Sequence, residues 1–300
     1  MTSHQAPRQD VYSRVTAKII ASLEAGVRPW QKPWNAAHAA GHITRPLRAN
    51  GQPYRGINVL LLWGEALEKG YNAPIWMTYK QALTLGAQVR KGEHGSLVVY
   101  ADKFTKTETD AQGQASEREI PFMKGYTVFN VEQVEGLPAH FTAKAAAPHP
   151  VDRIPAVEAF IAATGATIQH GGNRAFYAPS RDLVQMPPRE SFRDAESYAA
   201  TLVHELTHWT AQPSRLAREL GKRFGDQAYA AEELIAEMGS AFLCADLGIS
   251  PEVREDHASY LAHWLDVLKK DSHAIFTAAS QAQRAADYLH SFSQPQQAAA

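Results

Sequence analysis

The sequence predicts an α+β protein of two domains, the second built from a small antiparallel sheet plus helices. Three observations support this class. Segments with helical spacing of apolar residues are mixed with short β-branched and aromatic segments. The 300 residues suffice for two ordinary domains. An Ala/Pro-rich bridge, TAKAAAPHPVDRIP, separates two parts of different charge. We expect domains at 1–143 and 153–292, a linker at 144–152 and a tail at 293–300.

The first domain is expected to begin with a helix that Asp10 caps and Gly26 ends. A long irregular segment rich in Gly, Pro, Arg and aromatic residues follows at 28–56. INVLLLWGEALEKG and TYKQALTLG predict two further helices. GSLVVYADKF and PFMKGYTVFNVEQV predict strands, and the polar stretch TKTETDAQGQASERE between them predicts a turn-rich hairpin excursion.

The second domain is expected to open with the helix VEAFIAATG and continue with the short strands ATIQH, NRAFYAP and DLVQMPP. Gly171 and Gly172 are predicted to turn the first pair of strands. DLVQMPP is predicted to be an edge strand that can pair with an extended peptide. Helices are then expected at 194–210, 226–247, 251–270 and 272–291.

Several classes of protein are excluded or disfavoured. No run of 18 apolar residues is present, so no membrane span is expected. The first ten residues lack the pattern of a secretory signal. The single cysteine, Cys244, excludes an internal disulfide, fits a reducing cytoplasm, and lies in the apolar run AFLCADL, where a buried thiol is expected.

The stretch ATLVHELTHWTAQ contains the pattern H-E-x-x-H at His204, Glu205 and His208. Residues four apart lie on the same face of a helix, so both imidazoles can reach one metal ion. Glu205 points about 100° away, where it can act as general base toward an attacking water. The motif predicts a metal centre that binds Zn²⁺ or another divalent metal such as Mn²⁺.

A catalytic zinc takes three protein ligands and keeps one position open. No third histidine follows the motif at the expected short spacing, so the third ligand must come from another element. The helix YAAEELIAEMGSAFL offers Glu233 as the ligand and Glu237 as the acceptor for the N–H of a ligand histidine. The reverse assignment stays open. Glu232 is expected to point elsewhere, into solvent.

Charge and tryptophan are concentrated in the first half. Residues 1–150 hold 17 Lys+Arg and 12 Asp+Glu, whereas residues 151–300 hold 13 and 19. Four of the six tryptophans lie in the first 80 residues. Cations that grip phosphates beside rings that stack on bases are typical of single-stranded DNA binding. The candidate DNA-binding residues are Arg28, Trp30, Lys32, Trp34, Arg45, Arg48, Tyr54, Arg55, Trp76, Lys80, Arg90 and Lys91.

Several segments along nearly the whole chain resemble the ArdC-type antirestriction proteins of conjugative plasmids. In the first half these are PWQKPW, NGQPYRGIN, WMTYKQALTLGAQVRKGEHGSLVVY and YTVFNVEQVEGLP; in the second they are RDLVQMPPRESFRDAESYAATLVHELTHWT and EELIAEMGSAFLCADLGI. The resemblance implies a single-stranded-DNA-binding domain, also found at the N-terminus of some plasmid primases, followed by a zincin-like metallopeptidase domain. It implies binding of single-stranded DNA, with duplex DNA as a further partner, and protection of plasmid DNA from host restriction during conjugation. It also implies a divalent metal at His204, His208 and an acidic residue of the EELIAE helix.

Two other functions stay open at this point. One is a cytoplasmic zinc metalloprotease whose first domain selects a protein substrate. The other is a non-enzymatic binder in which the metal braces the fold. The H-E-x-x-H motif is complete and shows no departure that would argue for an inactive site, although the resemblance does not imply that peptide-bond cleavage is required.

Overall fold

The computed structural model describes residues 10–30, 44–109, 115–141, 150–220, 227–250 and 257–293. In chain order, the helices are α1 (Val11–Glu24), α2 (Ile57–Lys69), α3 (Tyr79–Thr84), α4 (Pro150–Ala163), α5 (Ala195–Trp209), α6 (Gln227–Leu247), α7 (His257–Lys270) and α8 (Ala274–Ser291). The strands are β1 (Leu47–Arg48), β2 (Ile75–Met77), β3 (Gln88–Val89), β4 (Ser96–Thr109), β5 (Ala115–Asn130), β6 (Val134–Glu135), β7 (Thr167–His170), β8 (Phe176–Ala178) and β9 (Leu183–Met186). The predicted α+β class is confirmed.

The helices of the first half begin and end at the residues that the sequence indicates. The Asp10 carboxylate accepts a hydrogen bond from the Ser13 N–H at 3.1 Å, which caps α1. Thr78 and a glutamine three residues later form a capping box on α3. Gly70 ends α2 with φ 72°, a left-handed conformation that costs glycine little because it has no Cβ.

The first half is organised by a four-stranded sheet in the order β1-β2-β5-β4. Its long hairpin pairs β4 and β5 antiparallel from Ser96↔Val128 to Thr109↔Ala115. The hairpin expected at 105–119 is present, and both strands continue through most of that stretch, so it holds fewer turn residues than expected. Alternating threonines favour an extended chain, and pairing of the two strands satisfies their backbone groups.

The sheet of the second half is mixed rather than antiparallel, and its order is β7-β9-β8. β7 pairs with β9 in parallel, and β8 pairs with β9 antiparallel. Gly171 and Gly172 therefore do not turn a hairpin between paired strands. β9, predicted to be an edge strand, is the central one. Val184 and Met186 on it are fully buried, as expected of a strand with neighbours on both sides.

Helices α5 and α6 approach closely and form the scaffold of the second half. Residues 197–209 of α5 are buried without interruption. At the crossing, a Cβ added to Gly239 would lie 2.7 Å from Cγ2 of Thr207, which is closer than real Cβ contacts come. Glycine at this position therefore lets α6 lie directly against α5, so that side chains of the two helices meet.

One hydrophobic core runs across the predicted domain boundary. The Trp30 ring lies edge-on to Trp264, with ring centroids 6.0 Å apart. Trp63 of α2 lies 6.0 Å from Phe242 of α6. The two halves therefore share apolar packing. Most of the predicted linker at 144–152 and of the tail at 293–300 lies outside the described residues, and α4 begins at position 150.

The single cysteine lies in the core. Cys244 is fully buried, and burial raises the pKa of its thiol to about 12, as expected of an unreactive core cysteine. Over the described ranges, no helix combines the length and apolar character that crossing a membrane requires.

Candidate metal centre

Helix α5 carries the H-E-x-x-H motif into the interior. Asp194 caps it by accepting a hydrogen bond from the Ser197 N–H at 2.7 Å, and this bond lowers the pKa of Asp194 to about 2. Near the other end of the helix, His204 is 4% exposed and His208 is 8% exposed. The apolar neighbours of the motif thus place both imidazoles in the packed layer between α5 and α6.

Both imidazoles present their Nε2 atoms to Glu233 of α6. His204 Nε2 lies 3.7 Å from Glu233 Oε2, and His208 Nε2 lies 3.5 Å from Glu233 Oε1. Ligand atoms on one tetrahedral zinc are separated by roughly 3.4 Å when the bonds are about 2.1 Å long. These three side chains form the one group of potential metal ligands within the described part of the chain. Their donor atoms fit a single divalent ion.

The Nδ1 atoms of the two histidines face two further glutamates. His208 Nδ1 lies 3.2 Å from Glu232 Oε1, and His204 Nδ1 lies 3.9 Å from Glu237 Oε1. A carboxylate on the far side of a ligand imidazole fixes its tautomer and orientation. Glu233 thus lies on the Nε2 side of both imidazoles and Glu237 on the Nδ1 side of His204, and the roles assigned to them stay predictions.

The prediction for Glu232 is wrong. Its side chain is 2% exposed rather than solvated. Arg218 accounts for the difference: its Nε donates to Glu232 Oε2 at 3.0 Å and its Nη2 donates to Glu232 Oε1 at 2.8 Å. A buried carboxylate needs such a partner. The arginine lies 14 residues upstream on the segment that follows α5, so no local spacing in the sequence indicates the contact.

The carboxylates and the histidines of the site shift one another's pKa values. Burial by itself lowers the pKa of His208, but the carboxylates of Glu233, Glu232 and Glu205 outweigh it and raise that pKa to about 9. Burial also raises the pKa of Glu233, but the two histidines and the Tyr229 hydroxyl hold it well below its usual range. In the metal-free protein, a proton on His208 therefore balances the carboxylates, and a divalent cation can replace it.

Glu205 lies beside the ligand group but is not part of it. Its side chain is 2% exposed, and its charge acts on His208. Glu205 therefore lies near His208, and its role as general base stays a prediction.

Four of the candidate DNA-binding residues are buried, and for these the prediction is corrected. Trp30, Trp76, Tyr54 and Arg45 are 0%, 1%, 3% and 7% exposed. The rings fill the core. The fork of Arg45 grips Asp246, with Nε and Nη2 each 2.9 Å from a carboxylate oxygen.

The other candidates differ in what their charges face. Arg48, Lys80 and Lys91 are exposed. Two exposed arginines are paired with carboxylates, Arg55 with Asp287 and Arg90 with Glu93. Arg28 is half-buried, and Lys32 and Trp34 lie outside the described ranges. The Nη1 of Arg28 is buried without a hydrogen-bond partner, and the charge of Glu237 acts on this guanidinium. Arg28 is therefore placed toward the metal centre rather than toward bulk solvent.

Sequence reasoning missed two exposed rings on the hairpin. Tyr100 on β4 is 50% exposed and Tyr126 on β5 is 36% exposed. In the register of the hairpin, Tyr100 pairs with Lys124 and Tyr126 pairs with Val98, so both rings lie on one face of the sheet. Both tyrosines stand in strands that the sequence predicts, but no local pattern distinguishes them from the buried Val98 on the same face.

Comparisons with known proteins agree with this geometry. Residues 9–129 match the N-terminal domain of anti-restriction factor ArdC, and residues 155–281 match a zincin-like metallopeptidase family. The uncharacterised protein y4eC of Sinorhizobium fredii (strain NBRC 101917 / NGR234) is 46% identical over 97% of this chain and 95% of its own length. A DNA primase TraC of Escherichia coli is 40% identical over 96% of this chain, which corresponds to 28% of the primase.

Two crystal structures of the antirestriction ArdC protein from the R388 plasmid are similar to this protein over nearly their full length. The metal-free structure has a TM-score of 0.79 and 47% sequence identity, and covers 95% of this chain and 98% of that one. The Mn(II)-bound structure has a TM-score of 0.78 and 46% identity, and covers 96% and 100%. A two-part architecture with a zincin-like second part is the class that the fold and the site define. The chain belongs to the ArdC family of antirestriction proteins.

Proposed function

We propose that the protein binds DNA through its first half and thereby protects incoming plasmid DNA from host restriction during conjugation. Its second half carries a divalent metal centre of the peptidase type, in which Glu205 is the general base. The observation that carries the proposal is the combination of two features in one chain of this family. The first half exposes cations and tyrosine rings. The second half brings His204, His208 and Glu233 together.

The metal part rests on the chemistry of the donor set. Two imidazole nitrogens and one carboxylate oxygen suit Zn²⁺ and also Mn²⁺. The R388 protein, which is 46% identical, has an Mn(II)-bound structure. A metal bound here would act as a Lewis acid toward a substrate carbonyl.

The protein's own residues supply the rest of that chemistry. Three protein ligands leave one coordination position open, as a catalytic site requires and a structural site avoids. Glu232 lies 3.2 Å from Nδ1 of His208 and Glu237 lies 3.9 Å from Nδ1 of His204, so both carboxylates favour the orientation with Nε2 inward. We assign to Glu205 the role of taking a proton from the attacking water, with a protein as the substrate class.

The DNA part rests on exposed groups of the first half. Arg48, Lys80 and Lys91 are exposed and can meet phosphates, and Tyr100 and Tyr126 offer flat surfaces to unpaired bases. Stacking on exposed rings requires bases that are not held in a duplex, so we assign single-stranded DNA as the main ligand and duplex DNA as the weaker one.

The test of the DNA part uses the full-length protein with Arg48, Lys80 and Lys91 all changed to alanine. We expect weaker binding to a single-stranded oligonucleotide and a salt dependence that is smaller by about 2 in logarithmic slope, because each lost phosphate contact removes about 0.7. Protection of the plasmid on transfer into a restricting recipient should fall in parallel. Arg174 and Arg181, exposed cations of the second half, provide the matched control when changed together to alanine. Equal DNA affinity in the triple variant and the wild type would remove this surface from the proposal.

A further inference from the structure

The guanidinium of Arg218 is buried, and each of its three nitrogens donates at least one hydrogen bond. Its side chain is 5% exposed. Besides its two bonds to Glu232, its Nη1 donates to Thr210 Oγ1 at 2.8 Å and its Nη2 donates to the Thr207 carbonyl at 2.8 Å. The last two acceptors belong to the end of α5. The guanidinium thus links the end of the motif helix to α6.

The contacts continue without a gap from Arg218 to the metal position. Both oxygens of Glu232 are held, and Oε1 is the atom that faces His208 Nδ1 at 3.2 Å. The opposite nitrogen of the same ring, Nε2, faces Glu233 at 3.5 Å. The rotation of the His208 ring is therefore fixed by a carboxylate whose own position is fixed by an arginine.

We propose that Arg218 is a positioning residue of the metal centre: it holds Glu232 against His208 and so sets the orientation of that ligand and the affinity for the metal. This inference rests on the metal part of the proposed function and adds to it a residue that contacts no ligand atom. The physical reason is that a fork with two parallel N–H···O bonds restricts a carboxylate more than a single donor can. Partners outside the ligand shell commonly change metal affinity by about 10- to 100-fold.

A neighbouring arginine on the same segment provides a matched control. Arg215 donates to the Trp209 carbonyl at 2.6 Å, pairs with Asp182, and lies 3.8 Å over the Trp209 ring. It anchors the segment to the sheet and touches neither Glu232 nor a ligand. A purely structural effect of loosening the segment should therefore appear with Arg215 as well as with Arg218.

The experiment compares full-length Arg218→Met, Arg218→Lys and Arg215→Met with the wild type. The readouts are Mn²⁺ and Zn²⁺ affinity by calorimetry, the d–d absorption spectrum of the Co²⁺-loaded protein, and the melting temperature of the metal-free protein. We expect Arg218→Met to bind metal about 10- to 100-fold more weakly with an altered Co²⁺ spectrum. Arg218→Lys should keep the charge but lose the fork, and so fall between. Arg215→Met should melt earlier but keep the wild-type affinity and spectrum.

The outcomes that overturn the proposal are distinct. Wild-type metal affinity and spectrum in Arg218→Met, or in Arg218→Lys if the first variant does not fold, would show that the fork does not position the ligand. An equal loss of metal affinity in Arg215→Met would show that Arg218 only stabilises the segment after α5 and does not position the ligand. A wild-type protein that binds neither Mn²⁺ nor Zn²⁺ would instead overturn the metal centre itself.

Discussion

Gly239 of α6 lies against the side chain of Thr207 on α5, where a Cβ would lie 2.7 Å from Cγ2 and 3.2 Å from Oγ1. Thr207 cannot easily turn away, because its hydroxyl donates to the Val203 carbonyl at 2.8 Å. Glu237, one ion-pair partner of the ligand histidines, lies two residues before this glycine. The missing side chain thus determines how near the carboxylates of α6 come to the imidazoles of α5.

Replacing Gly239 with alanine should therefore destabilise the protein, although alanine favours helices. The overpacked crossing is expected to cost about 1–3 kcal/mol, and metal affinity should fall because α6 moves away from α5. Urea unfolding of the metal-free protein measures the first effect and calorimetry the second. Gly64→Ala is the control, since its Cβ would meet only the Pro29 side chain at 3.9 Å. That variant should be neutral or up to about 1 kcal/mol more stable; the same loss in both variants would contradict this account.

Metal binding should depend on pH through His208. Its raised pKa, about 9, means that the metal-free protein holds a proton on this imidazole at neutral pH. The stability gained from that proton is present below the unfolded pKa of about 6.5 and is lost as pH rises through 9. Because the metal must displace the proton, affinity for Mn²⁺ should rise with pH up to about 9 and then level off. Calorimetry in buffers of different ionisation enthalpy would detect the released proton, and an affinity unchanged over this range would contradict the assignment.

Arg45 should contribute to stability rather than to DNA binding. It grips Asp246 through two bonds, donates to Gln283 Oε1 at 2.9 Å, and lies 4.4 Å from the Phe242 ring centroid. Removing one member of a buried ion pair costs about 3–5 kcal/mol, so Arg45→Ala should unfold at clearly lower urea concentration. Arg48→Ala, at an exposed position nearby in sequence, should change the free energy of unfolding by less than about 0.5 kcal/mol. If Arg45→Ala is as stable as the wild type and binds DNA more weakly, the original assignment of Arg45 to DNA was right.

The exposed tyrosines of the hairpin should contribute to binding of single-stranded DNA. Changing Tyr100 and Tyr126 together to alanine should lower the affinity for an unpaired oligonucleotide by about 1–3 kcal/mol per lost stacking contact. The salt dependence should stay the same, because no phosphate contact is removed. Fluorescence anisotropy with single-stranded and duplex oligonucleotides measures both. Phe176→Ala, an exposed ring of the second half, is the control. An equal loss for duplex DNA would contradict stacking.

Local patterns predicted the parts of the fold and site that depend on neighbours in sequence. The four-residue spacing of His204 and His208 suffices to place both imidazoles on one helix face. The limits of α2 follow from its apolar spacing and from Gly70. Glu233 and Glu237 share a face for the same reason. Each of these features depends on residue spacing within a single helix, which can be read directly from the sequence.

Long-range pairing decided the features that the sequence did not reveal. β9 is central because β7 pairs with it in parallel on the side opposite to β8. No turn residue in the sequence indicates that pairing. Trp30 is buried because α7 supplies Trp264 as its neighbour, although a tryptophan in a basic loop is equally suited to stacking on a base. Glu232 is buried because Arg218 compensates its charge. These contacts join residues far apart in the chain, so local composition could not distinguish them from exposed positions.

Whether protection comes from DNA binding rather than from hydrolysis is tested most directly by the Glu205→Gln variant in conjugation. The measurement is the efficiency of plasmid transfer into restricting and non-restricting recipients, made beside the DNA affinity and metal affinity of the same variant. All three should stay close to wild-type levels, while any peptidase activity is lost because the glutamine amide is too weak a base to take a proton from water. Loss of protection with DNA and metal binding intact would contradict protection by DNA binding and would assign protection to cleavage of a protein substrate.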